Sequence, residues 1–162
     1  IYNDDEISEE SLIELLEYIE KILENDECTL FEAITCAFIK YAENFKDNVN
    51  IIEAGLFHKF DSTNVFKKNL CTLIGVIHND HFSWLENKTI DGVIHEKTNK
   101  LLNSNIFINK QVSEEIRYKI EKSLNKNTSK KYYFGKDFNI FFAFLSLGLL
   151  KSFVMNLFFS IP

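Results

Sequence analysis

Few residues of this chain have both the type and the spacing for chemistry. His78 and His81, with Asp80 between them, could present two imidazoles from one helical turn. A zinc site closes with three or four such ligands. No third follows here, so Asn79 and Asp80 are expected to serve as caps and solvent contacts, and no metal is expected. Cys36 and Cys71 would need a nearby base and a stabilised thiolate to act as nucleophiles. Each instead lies among apolar neighbours, Ala37 and Phe38 for one, Leu70 and Leu73 for the other. Both are expected to be small packing residues, poorly accessible and reduced. Glu6, Glu9, Glu10, Glu14 and Glu17 lie along one solvated helical face. No glycine-rich phosphate loop, G-x-S-x-G or H-E-x-x-H occurs. The expectation is therefore a chain without catalytic residues or cofactor, not an enzyme.

The elements that would position these residues read as helices. Five glycines and a single proline, Pro162, leave few breakers in 162 residues. With 24 acidic and 18 basic residues the net charge is −6, which disfavours a general nucleic-acid surface. Three cysteines without a C-x-x-C pair suit a reducing compartment, and no amino-terminal apolar signal is visible. Ser8 can cap a helix whose stripe runs through Leu12, Ile13, Leu15, Leu16, Ile19, Ile22 and Leu23. Further helices are predicted over Leu30–Ala42, Val65–His78, Ile90–Leu102 and Val112–Leu124.

Three units can be laid over one another. Lys21–Asp26, His58–Thr63 and Lys100–Asn105 each end an apolar run in a polar turn, and each precedes a long amphipathic stretch. Leu23, Phe60 and Leu102 recur at roughly 40 residues, a period of stacked helical repeats. Within this pattern Ile51-Ile-Glu-Ala-Gly-Leu-Phe57, after an Asn-rich linker, resembles the I-x-E-A-G opening of an armadillo repeat. Ile90-Asp-Gly-Val-Ile94 followed by Lys100-Leu-Leu-Asn-Ser104 looks like the next copy. The resemblance implies an all-α, armadillo- or HEAT-like α-solenoid of about three short repeats over residues 1–127, with Gly55 and Gly92 at equivalent turns. It implies a groove lined by the long helices. Peptide-binding members carry a tryptophan and, four residues on, an asparagine there; these positions fall on Cys36 and Lys40, then on Cys71 and Gly75. Neither pair matches, so the groove implied is a small-residue channel with one positive charge, suited to an apolar or acidic helix.

A basic linker, 128–137, leads to an apolar stretch, 138–162, predicted as a carboxyl-terminal helix. Its length could cross a bilayer, and Lys130, Lys131 and Lys136 precede it as on the cytosolic side of an anchor. Lys151 at mid-span favours packing on protein instead. Phe141, Phe144 and Phe153 would face the protein or the lipid. The first functional expectation is a cytoplasmic, non-catalytic scaffold that binds another protein's peptide or helix. The second is a tail-anchored helical bundle at an organelle membrane, a little like viral Bcl-2-type apoptosis inhibitors.

Overall fold

Ser8 opens the first helix as the sequence suggests: its hydroxyl accepts the Ser11 N–H at 3.1 Å, and α1 runs Glu9–Leu23. Thr29 opens the second with a reciprocal cap. Its hydroxyl accepts the Glu32 N–H at 3.3 Å, while the Glu32 carboxylate accepts the Thr29 N–H at 2.7 Å, and α2 spans Leu30–Ala42. Such a box satisfies two helix-end donors at once. From there the computed structural model, which describes residues 6–45, 48–138 and 154–158, departs from the all-helical expectation. It contains strands β1 (Asn50–Glu53), β2 (Cys71–Ile74), β3 (Asn105–Ile108), β4 (Lys131–Tyr133) and β5 (Val154–Phe158), with helices α3 (Ile90–Thr98) and α4 (Glu114–Ser123).

The strands form one sheet in the order β1-β5-β2-β3-β4. β2, β3 and β4 are parallel, with Thr72 opposite Ile106 and Ile106 opposite Lys131, whereas β5 runs antiparallel to β2. Parallel neighbours need a crossover, usually a helix, and α3 and α4 supply it in β2-α3-β3-α4-β4. Burial along β2 and β3 alternates: Thr72, Ile74, Ile106 and Ile108 are buried, and Cys71, Leu73 and Phe107 less so. The buried set joins Val93, Ile94, Ile120, Leu124 and Tyr133 in one core. The chain divides into two compact units, the first holding α1 and α2, the second Ile51–Phe158 with the sheet.

The all-α solenoid is thus corrected to an α/β fold. Val65–His78, expected as a long helix, contains β2. Leu70, Leu73, Ile74 and Ile77 fit a helical stripe, but a four-residue strand cannot be told from part of a helix by periodicity alone. The long helix equated with α2 is therefore absent, and the repeat goes with it. Gly55 and Gly92 are not equivalent turns: Gly55 lies in a bend after β1 and Gly92 in the first turn of α3. Residues 128–137, expected as a linker, contain β4. Of the predicted carboxyl-terminal helix, Val154–Phe158 is strand β5, while Phe141, Phe144 and Phe153 lie outside the described residues. Among the described residues no helix is long and apolar enough to cross a membrane.

Gly92 has a packing reason instead. A Cβ built there would lie 2.4 Å from the Asn87 carbonyl oxygen, which itself accepts the Thr89 N–H at 2.7 Å. Alanine is the better helix former by about 1 kcal/mol, yet the backbone must move to admit it. Gly92→Ala is expected to destabilise the protein by about 1–3 kcal/mol, the range for overpacking. Chemical denaturation checks this; a more stable variant would show that the loop before α3 yields freely.

Candidate functional site

Lys97 lies in the last turn of α3, on the same face as Val93, Ile94 and Thr98, and is only 2% exposed. A lysine this buried must find partners for its ammonium or give up its proton. Its Nζ donates to the Leu56 carbonyl at 3.3 Å and stands 5.9 Å from the centre of the Phe57 ring. Burial pushes its pKa below the ordinary lysine value, and the charges of Asp80, Glu53 and Asp61 pull back upward. Three carboxylates, Glu53 at the end of β1 and Asp61 and Asp80 on two different loops, therefore hold one buried amine in their field.

The loop after β1 brings Leu56, Phe57 and His58 in succession against α3. His58 is fully buried, and its Nδ1 lies 3.3 Å from the Asn99 carbonyl at the end of α3. Burial lowers the His58 pKa, opposed by that hydrogen bond and by the Asp61 charge, so the ring is neutral at pH 7. The unfolded chain, with histidine near about 6.5, takes a proton before the native protein does. Stability should then be full above about pH 6.5 and fall as pH drops from there to the lowered native value. His58→Gln, followed by urea unfolding across that window, is expected to flatten this acid limb; an unchanged limb would assign it to other groups.

The loop after β2 contributes from the other side. Asp80 Oδ2 lies 3.2 Å from His81 Nε2, and the His81 ring meets the Phe57 ring edge-on at 6.0 Å. His81 has φ of 56°, a left-handed conformation that costs energy for a residue with a side chain and gathers at functional positions. This loop is braced by Gln111, 9% exposed, from the segment after β3. Gln111 Oε1 accepts the Ile77 N–H at 2.9 Å; its Nε2 donates to the Gly75 carbonyl at 3.0 Å and the Asn109 carbonyl at 2.8 Å. The loops after β1 and β2 thus bring their groups toward Lys97 near the end of α3.

The residues singled out from the sequence fall elsewhere. Cys36 and Lys40 lie one turn apart on α2; Cys71 opens β2 and Gly75 follows it, in the other compact unit. Cys36 is exposed, against expectation, because its neighbours Thr35 and Ala37 take the buried face; Cys71 is half-buried and burial raises its pKa. Lys40 is tied to Glu43 at 2.7 Å and stands over the Tyr18 ring. Of the His78/Asp80/His81 set, Asp80 acts on Lys97 through its charge and His81 packs against Phe57. Among the described residues no three of the His, Cys, Asp and Glu side chains are placed to hold a metal ion. The sequence signal for Lys97 is a lysine on the same helical face as Val93 and Ile94. Glu53 and Asp61, which fit a repeat opening and a polar turn in the sequence, belong instead to the end of β1 and the loop after it.

A parallel sheet with helical crossovers and a desolvated amine in the field of three carboxylates is not a solenoid. The chain is 46% identical over 70 residues to the dihydrofolate synthase/folylpolyglutamate synthase of Bacillus subtilis (strain 168), across 43% of this chain and 16% of that protein. The folylpolyglutamate synthase of Thermotoga maritima superposes with a TM-score of 0.61 at 25% identity, covering 81% of this chain and 30% of that one. The apo form of L. casei FPGS gives 0.61 at 21% identity, over 74% and 29%, and so does an FPGS-AMPPCP-folate complex. No protein-family model matches. The chain thus spans less than a third of the length of these proteins. The armadillo resemblance is overturned: Ile51–Phe57, its strongest motif, forms β1 and the loop onto Lys97. So are the non-catalytic scaffold, the protein partner and the membrane-anchored Bcl-2-like alternative, since the likeness is to synthases whose complexes name a nucleotide analogue and folate.

Proposed function

We propose that this chain is part of a ligase of the folylpolyglutamate synthase kind, which joins glutamate to a folate at the expense of ATP. The observation that carries this is the 46% identity over 70 residues to the Bacillus subtilis enzyme. The chain has no glycine-rich phosphate loop. Its share in the reaction is the cluster of groups around Lys97. An ammonium held in a dry, prearranged setting stabilises negative charge that develops on a phosphoryl or carboxyl oxygen far better than water does. Glu53, Asp80 and His81 offer hard oxygen donors and one imidazole toward the same space, and a cation travelling with a nucleotide prefers such oxygens. The described residues form no assembled metal site, so no step is routed through one. Three free thiols accord with a cytoplasmic setting.

The test is direct. The full protein that carries this chain is supplied with ATP, glutamate and a reduced folate. The folate should gain one glutamyl unit by mass for each phosphate released. Neither product nor phosphate, from folded protein at several folate and pteroate substrates, would overturn the reading.

A further inference from the structure

The Asp61 carboxylate fills its whole hydrogen-bonding capacity within its own loop. Oδ2 accepts the Gly55 N–H at 2.9 Å and the Leu56 N–H at 3.1 Å; Oδ1 accepts the Thr63 N–H at 3.0 Å and the Thr63 hydroxyl. A carboxylate has about four acceptor sites, so none is left for a ligand. The residue so held is Leu56, whose N–H goes to Asp61 and whose carbonyl goes to Lys97 Nζ. One residue's backbone therefore joins the carboxylate to the buried amine. The next two side chains, Phe57 and His58, complete the dock, one beside Nζ and the other on the Asn99 carbonyl two residues beyond Lys97. Without the clamp, consecutive N–H groups at Gly55 and Leu56 would lose their acceptor and the loop its shape.

We infer that Asp61 is the positioning residue of this crevice: through the Leu56 backbone it holds the loop that places the carbonyl and the Phe57 ring on Lys97. The inference rests on the reading of Lys97 as the centre of the site, but not on which reaction occurs there. Asp61 does not touch the amine. Like Glu53 and Asp80 it acts on Lys97 through space, but it alone of the three also holds the Leu56 backbone.

The two modes of action leave opposite signatures in Asp61→Asn. The amide keeps one acceptor oxygen and turns a donor toward the remaining N–H groups, so about half the clamp is lost. If Asp61 only contributes charge, its removal lowers the Lys97 pKa further. If it holds the loop, water reaches the amine, the desolvation that chiefly depresses its pKa is relieved, and the pKa rises. The other charges acting on Lys97 are Glu53 at the end of β1 and Asp80 after β2, with the titratable rings of His81 and His58 on the same two loops, all retained in the variant.

The measurement is the pH-dependent acetylation of Lys97 in the full protein, read by peptide mass spectrometry, with surface Lys122 as internal reference. Asp61→Asn should raise the labelling rate of Lys97 at least tenfold relative to Lys122 and shift its midpoint upward. Thr63→Val, which removes one donor and no charge, should do the same to a smaller degree and guards against a variant that fails to fold. A midpoint that falls, or a rate unchanged in both variants, overturns the inference. Folate ligation unchanged in a variant with Lys97 released would instead overturn only the functional reading.

Discussion

Lys97→Met is expected to remove activity while leaving the protein as stable as before, or more so. Methionine fills much of the same volume, and the aliphatic part of the site, among Val93, Ile94 and the Phe57 ring, accepts it. What disappears is a charge whose burial is unfavourable, so its loss relieves desolvation. What also disappears is the amine that faces reacting oxygens in the proposed ligation, for which a loss of about 10²–10³-fold in turnover is the usual scale. The pH dependence of stability should change with it. The native Lys97 pKa lies below the ordinary lysine value of about 10.4, so at intermediate pH the unfolded chain binds a proton that the native protein resists. Wild-type stability should rise as pH climbs from the lowered native value toward about 10.4, and Lys97→Met should lack this rise. Denaturation and turnover on the same samples check both halves. Full activity in the variant would remove Lys97 from the mechanism, whereas equal losses of activity and stability would make it a structural residue.

Gln111→Leu should be the most damaging substitution for stability. The side chain serves two buried backbone groups, the Ile77 N–H and the Gly75 carbonyl, and the part-buried Asn109 carbonyl. Leucine matches the size of glutamine but can neither donate nor accept. Each buried group left without a partner costs about 1–3 kcal/mol, and two such groups are involved. The loss therefore should exceed the roughly 1 kcal/mol typical of single substitutions. It should also reach the crevice, because the Gly75–Ile77 segment leads into the loop that carries Asp80 and His81. Urea unfolding measures the first effect. The second would appear as an altered near-ultraviolet signal from the Phe57–His81 region and nearby Trp84. A variant within about 0.5 kcal/mol of wild type would show that water replaces the amide at this junction.

Helices α1, α2 and α4 were legible because their determinants are local. Ser8, Thr29 and Ser113 cap the helix starts from within three residues, and Ile116, Ile120 and Leu124 mark one face of the α4 segment. The absence of a phosphate loop could also be read directly. The sheet could not, since a four-residue strand such as Cys71–Ile74 carries too little periodicity to exclude a helix. Its identity as a strand comes from pairing Thr72 with Ile106, and Ile106 with Lys131, across helical crossovers. The site was further still from view. Leu56 and Lys97, like His58 and Asn99, are 41 residues apart. No short-range pattern encodes such separations; closing the loop between them is an entropic cost that only the folded core offsets. Local order in the chain thus accounts for the caps, the amphipathic faces and a lysine beside apolar residues of one helix face. That this lysine stands against a carbonyl and an aromatic ring, in the field of three carboxylates, follows only from the folded core, because the burial that perturbs it exists once the loop after β1 has docked on α3.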